Sequence, residues 1–390
     1  MDVLQFKGHL LTAGRDGALR SWTWNKNMDN DGNVQLPKSD GGLRSLLLTP
    51  PSEEKGAGLV IGTMMNSLLG VTLSKTGSPL DGVNFEGVPI TQGHTGEVCD
   101  IAKIPASFLG ADVLTVSTDG LVCKLNSERR EPVWRLWLQG CVFSCVDCNV
   151  RGDTVVLGTK DGRLIVLELN PESLTVKEVY NKKVTPGEIT AVKLSPDERM
   201  LTLGATDRCL HIFHLQEKED DDNKGKEQVV EEEWVYFGML KGHKGPIHSV
   251  DWSKEKKNDT YIIRTSTKIP EQKFWEVTRC VEISGDNLND FPWSSSTCLL
   301  DHKLVGLWSS KQASEGQLTC VDVNPDETLV AMATNSGSLS LFQYPCLTQK
   351  AFSHAYKSHQ TPRALCFTLD GRSLLTVGGA DTSIMQWKIV

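Results

Sequence analysis

GGADTSIMQWKIV, residues 378–390, closes the chain. A small-residue step, an aspartate, a short polar turn and a run into Trp387 read as the turn and second strand of a β-hairpin. Relatives of this segment lie upstream: LLTAGRDGALRSWTW (10–24), VLTVSTDGLVCKLN (113–126), VVLGTKDGRLIVLEL (155–169), LTLGATDRCLHIFHL (201–215) and LVAMATNSGSLSLF (329–342). Each has an apolar strand, a small residue, Asp or Asn with Gly or a polar residue, and an alternating strand. Where the step is Asp-Gly, the glycine tolerates the positive φ of a tight hairpin. One such hairpin is weak evidence. Six in the same grammar define a repeat.

A further strand with its own entry signal precedes several copies. GHTGEVCDIAKIP starts at Gly93, GHKGPIHSVDWS at Gly242 and SHQTPRALCFTLDG at Ser358. GEITAVKLSPDERML and GQLTCVDVNPDETLV carry the same strand followed by a Pro-Asp turn. A period of about 40–50 residues, several strands per unit and Gly-His openings are the WD-repeat signature of a β-propeller. The sequence therefore predicts an all-β, WD40-type propeller of seven to eight blades, several of them degenerate. Residues 37–390 hold the propeller, and residues 1–36 read as a partial blade, either the end of a preceding propeller or part of ring closure. Closure is the physical logic: a blade cannot bury both faces alone, so each covers its neighbour, and a ring leaves few open strand edges.

The turn aspartates Asp16, Asp119, Asp161, Asp207 and Asp381 are expected to accept backbone or histidine hydrogen bonds within their blades. His94 and His243 are the expected donors, and Trp387 the aromatic that ends the repeat. These are structural blade residues in this reading. Leu125, Leu167, Phe213 and Phe342 stand where other copies have the terminal tryptophan, so those blades rely on packing. Trp22, Trp24, Trp134 and Trp137 read as wedges between blades, with exposed anchors as the alternative.

Apolar residues at 39% and charged residues at 23% of 390 suit a globular protein with a large core. A net charge of −8 argues against a nucleic-acid partner, which calls for a basic face. No stretch is apolar for long enough to suggest a membrane partner, and MDVLQFKGHL lacks the pattern of a secretory signal. Eleven unevenly spaced cysteines read as reduced thiols of a cytoplasmic protein.

Several stretches are more specific. TSIMQW (382–387) after GGAD, LFQYPC (341–346) followed by AFSHAYKSH, WSSSTCLLDHKLVGLW (293–308), GHKGPIHSVDWS, QGHTGEVCDIA and PVWRLW resemble the echinoderm microtubule-associated protein-like family, in order, across about residues 43–390. The resemblance is to the second of that family's two atypical propellers, and residues 1–36 resemble the end of the blade before it. It implies a non-catalytic scaffold with tubulin or microtubules as partner, located in the cytoplasm and cytoskeleton, with cilium or axoneme as one setting. KEKKNDTYIIRTSTKIPEQKFWEVTRC departs from the family's usual blade turn, which predicts a distorted blade or a surface loop there.

No phosphate-binding loop, dinucleotide fingerprint or nucleophile elbow is present, and no cofactor is expected. Cys145 and Cys148 in GCVFSCVDC invite a zinc reading, but residues three apart on a strand face opposite ways. The acidic stretch QEKEDDDNKGKEQVVEEE, within 216–233, reads as an exposed loop, with docking of a basic partner as the sharper alternative. Two function classes remain: a tubulin-associated scaffold, and a general cytoplasmic WD-repeat scaffold for another complex. An enzyme would need convergent catalytic groups that are not legible here.

Overall fold

The computed structural model describes residues 2–25, 27–35, 42–49, 57–64, 67–74, 76–83, 93–217, 232–268, 271–288, 291–308, 316–348 and 353–389. Thirty strands among these residues form eight antiparallel sheets. In each sheet, consecutive strands pair with their sequence neighbours, as hairpin-connected blades require. The predicted all-β propeller class is therefore the observed one. No helix among the described residues is long and apolar enough to cross a membrane.

The chain divides into two compact units, Met1–Thr95 and Gly96–Val390. In the first, Asp2–Phe6, His9–Ala13, Ala18–Thr23 and Asn30–Gln35 (β1–β4) form a four-stranded sheet. This is the segment anticipated as part of a blade. Leu43–Thr49, Gly58–Thr63 and Leu68–Thr72 (β5–β7) make the second sheet. Leu11, Leu19, Leu43, Leu59 and Ile61 are buried between the two.

The second unit contains six sheets. The third sheet is Val98–Phe108, Ala111–Ser117, Leu121–Asn126 and Glu131–Trp137 (β8–β11). The fourth is Phe143–Cys148, Thr154–Thr159, Arg163–Leu169 and Val176–Lys183 (β12–β15). Ile189–Leu194, Met200–Ala205, Cys209–Glu217 and Glu232–Lys241 (β16–β19) form the fifth. Ile247–Trp252, Ile262–Thr267, Gln272–Glu276 and Val281–Ile283 (β20–β23) form the sixth. The seventh is Leu318–Val323, Leu329–Thr334, Ser338–Gln343 and Ser353–Lys357 (β24–β27), and the eighth Pro362–Phe367, Ser373–Gly378 and Ile384–Lys388 (β28–β30).

The first strand of each sheet is innermost. β8 packs on β12, β12 on β16, β16 on β20, β24 on β28, and β28 back on β8. Between β20 and β24, residues 294–299 take the inner position without forming a sheet, and a short turn, His302–Leu304, leads into a one-turn helix, Val305–Trp308 (α1). Apolar clusters fill the spaces between neighbouring sheets. Leu157 and Ile165 pack with Leu114 and Val116, Val156 and Val166 with Leu201 and Phe213, and Leu210 and Ile212 with Ile247 and Trp252. Leu304 and Leu307 pack on Met332 and Phe342 of the seventh sheet. Burial of such rows is worth about 2 kcal/mol per large side chain.

The sixth sheet decides between two expectations. The atypical stretch around 254–283 does not distort its blade, since β20–β23 pair in regular register apart from one bulge in β20, and its residues 254–259 form an exposed loop between β20 and β21. Strand β21 is buried at every position, and Trp275 on the neighbouring strand β22 is buried too. Of the acidic stretch 216–233, residues 218–231 lie outside the described residues.

Candidate functional site

The predicted blade residues separate into two kinds. In the eighth sheet Asp381 accepts from His359 Nδ1 at 2.7 Å, His359 Nε2 meets Thr376 Oγ1 at 3.0 Å, and Trp387 Nε1 donates to the same hydroxyl at 3.0 Å. The sixth sheet repeats the network with one change. His243 Nε2 lies 2.7 Å from Thr265 Oγ1, Trp275 Nε1 donates to Thr265 at 2.8 Å, and the carboxylate on His243 Nδ1 is Glu271 at 3.1 Å. Burial holds the His243 pKa down, while Glu271 opposes that shift. Asp207 finds a histidine within its own hairpin, His211 Nε2 at 3.0 Å, and a hydroxyl, Thr185, at 3.1 Å.

Asp119 takes backbone and hydroxyl donors, and Asp161 a hydroxyl and the Arg163 guanidinium, at 3.5 Å. Asp119 accepts from Gly96 N at 3.0 Å, Leu121 N at 2.9 Å and the Ser117 hydroxyl. Asp161 accepts from Thr159 Oγ1 at 2.5 Å. Asp16 accepts from Ala18 N at 3.2 Å and pairs with Arg20. His94 is buried. At the turn itself Gly17, Gly120, Gly162 and Gly337 have φ between 77° and 85°. Arg208 (69°) and Thr382 (54°) hold the same left-handed region in the copies that lack the glycine. A non-glycine residue there costs about 1 kcal/mol.

The hub of the second unit is polar. Asp100, Asp147, Asp251 and Asp322 on the inner strands each accept a backbone N–H from the next inner segment. The donors are Val146 at 2.9 Å, Leu194 at 2.9 Å, Cys298 at 3.0 Å and Phe367 at 2.9 Å. Asp2 does the same for Leu46 N in the first unit, at 2.9 Å. The sequence separations, 44 to 47 residues, are the repeat period expressed as a bond between neighbouring blades. Lys193 Nζ joins Asp147 at 2.9 Å, and Lys103 Nζ reaches Asp322 at 2.7 Å. Asp100 and Lys193 also line a cavity of about 150 Å3 bounded by all six inner strands and Thr297.

Asp100 and His248 are among the hub groups with displaced pKa values. Burial raises Asp100 to about 6 and lowers His248 to about 4, with Lys268 adding to the second shift. His248 Nδ1 lies 2.9 Å from Ser249 Oγ. A histidine with so low a pKa is a weak base, poorly matched to proton abstraction near neutrality. The hub carboxylates hold strands together and the hub lysines neutralise them.

Where the inner ring lacks a sheet, a buried charge cluster stands. Arg264 Nε donates to Asp251 at 2.9 Å, its Nη1 to Asp301, and its Nη2 to Ser295 O at 3.2 Å. The guanidinium lies 4.7 Å from the Trp293 ring centre. Asp251 also takes the backbone N–H groups of Thr297 and Cys298. Its pKa is lowered because this cation and these donors outweigh the cost of burial. Such a network is tolerated only when every buried charge is matched.

Sequence reasoning missed Arg264, Trp275, Glu271 and His359. The Ser-His opening at 358–359 and the tryptophan in QKFWEV were the available signals. It also missed Lys124, fully buried, which donates to Gly152 O and lies 3.4 Å from the Phe108 ring centre. Cys145 points to Ile189 O and Cys148 to Lys103 O, on the fifth and third sheets respectively, so the two thiols face opposite neighbours. Trp134 packs into the core between the third and fourth sheets, Trp22 donates to Thr12, and Trp137 donates to Asp119 O. Trp24 is exposed.

Comparison with known proteins adds a second line of observation. Residues 108–389 match the family model described as the echinoderm microtubule-associated protein second beta-propeller. Human echinoderm microtubule-associated protein-like 2 is 27% identical, with 97% of this chain aligned to 54% of that protein. The mouse family member 1 is 28% identical over 97% of this chain and 41% of its own length. Member 4 from Xenopus tropicalis is 27% identical over 98% and 37%. The chain thus spans about half, or less, of the curated relatives it matches. Its ring of sheets, its repeat-spaced hub bonds and its match across most of the second unit place the chain in the echinoderm microtubule-associated protein-like family.

Proposed function

We propose that this protein is a non-catalytic, microtubule-associated scaffold whose propeller binds tubulin. The observation that carries the reading is the match of residues 108–389 to the second propeller of proteins named for microtubule association. The chemistry of the hub supports the non-catalytic part: its carboxylates bracket neighbouring strands, its lysines pair with them, and its histidine is a weak base. A rigid ring with loops on two rims suits protein recognition.

With a net charge of −8, the chain gains nothing from bulk attraction to an acidic partner. Attachment therefore rests on local complementarity, and a cytoskeletal assembly such as an axonemal doublet is a fitting setting. The same charge is the observation that favours the second reading, a cytoplasmic WD-repeat scaffold for a non-tubulin complex. Co-sedimentation with taxol-stabilised microtubules, run beside gel filtration with soluble tubulin, separates the two. Pelleting with the polymer or co-elution with the dimer is expected. Absence of both would leave the second reading.

A further inference from the structure

The seam between the sixth sheet and residues 291–308 differs from the other seams. Elsewhere apolar clusters fill the space between neighbours; here a cleft of about 300 Å3 remains, at the lower end of ligand-sized pockets. Its floor is Arg264, its walls are Phe274 and Trp293, and Asp286 and Asp301 supply carboxylates. The two rings lie 5.9 Å apart at 37°, and Gly285 lets Phe274 lie against the chain, since a Cβ there would sit 2.5 Å from the ring.

Charge selects the occupant. Two carboxylates, those of Asp286 and Asp301, line the cleft beside the Arg264 guanidinium, and His302 lines it too, its Nδ1 3.1 Å from Asp301. Arg264 is already matched by Asp251 and Asp301, whereas Asp286 is exposed and, among the described residues, its carboxylate accepts only from Ser284 Oγ, at 2.6 Å. An entering anion would meet this excess of negative charge. A flat cation would meet a carboxylate and two aromatic faces. Arg264 itself, held by Asp301 beside Trp293, is an internal example of the same recognition.

We propose that this cleft docks an arginine side chain of a partner polypeptide, with Asp286 accepting from the guanidinium and Trp293 and Phe274 providing the faces it stacks on. The site does not depend on the microtubule reading, because any partner with an exposed arginine satisfies it. A lysine would keep the ion pair and lose the planar stacking.

Fluorine NMR of the whole chain labelled with 5-fluorotryptophan tests it, the Trp293 signal being assigned by its loss in Trp293→Phe. The probe is N-acetyl-arginine amide, with N-acetyl-glutamine amide and N-acetyl-glutamate as comparators. The arginine amide is expected to shift the Trp293 signal saturably, and the comparators to leave it in place. Asp286→Asn is expected to weaken that binding about fivefold, the loss of one partly exposed ion pair. This exposed residue's replacement should leave the other tryptophan signals unmoved. Asp326→Asn, an exposed carboxylate away from the cleft, should leave binding unchanged. An unmoved Trp293 signal, an equal shift with the glutamine amide, or unchanged affinity in Asp286→Asn would each overturn the proposal.

Discussion

The fourth and sixth sheets have the same strand order and opposite chemistry. In the fourth, Val155, Val156, Leu157, Leu164, Ile165, Val166 and Leu167 are all buried, Asp161 is exposed at its turn, and leucine stands where a tryptophan would end the repeat. In the sixth, the buried residues of β21 include Arg264, tied to Asp251 and Asp301, and Thr265, tied to His243 and Trp275. A blade can therefore be held by apolar area or by matched polar groups. The apolar solution loses stability by making cavities. The polar one loses it by leaving a charge or donor unmatched.

That contrast breaks most visibly at Asp251. Asp251→Ala removes one of the two carboxylates on Arg264 and the acceptor of two backbone N–H groups, and is expected to cost about 3–5 kcal/mol. Urea unfolding would measure it, and a loss below about 1 kcal/mol would mean that the cluster is not needed. In the fourth sheet, Ile165→Ala is expected to cost about 3 kcal/mol through its cavity, on the same assay. His243→Ala comes next, at about 2 kcal/mol, because it removes a buried ring and one hydrogen-bond partner each of Thr265 and Glu271.

Acid should act on the hub. The folded pKa of His248, about 4, lies below its unfolded value of 6.5, so the unfolded chain binds the proton first. Its contribution is fully present above about pH 6.5 and is lost as pH falls toward 4. Asp100 works the other way: its folded pKa, about 6, is above the unfolded 3.8, so it adds stability at low pH that is lost as pH rises through 6. His248→Gln is thus expected to reduce the acid sensitivity of unfolding by about 1–2 kcal/mol between those limits, given partial contact of His248 with solvent. Equal pH profiles for the two proteins would remove His248 from the account. The smallest effect is a gain: Arg208→Gly should stabilise the fifth sheet by about 1 kcal/mol by relieving its left-handed φ.

The repeat was legible because hairpin grammar is local. Asp119, Asp161, Asp207 and Asp381 could be found from the turn alone, and the structure places each at its turn. The ring was legible because WD-type spacing survives the loss of individual residues. Partners were harder. Glu271 bonds to a histidine 28 residues earlier, and Arg264 to an aspartate 37 residues later, across a seam whose second side is not a strand. A pattern search tuned to Asp and to strand alternation reads that region as damage, whereas the molecule uses it as a polar joint. The hub bonds were also hidden, since an aspartate inside an apolar strand gives no local sign that its acceptor role lies one whole repeat ahead.

The central claim is that the second unit closes as a ring through residues 294–299, which are clamped on the inner strand of the sixth sheet without becoming a sheet. Hydrogen–deuterium exchange at the Thr297 and Cys298 amides tests this most directly, because both donate to Asp251. The account predicts protection comparable to that of β20 amides, lost selectively in Asp251→Ala while the fourth sheet stays protected. Exchange of these two amides at the rate of an open loop in the unaltered protein would contradict it.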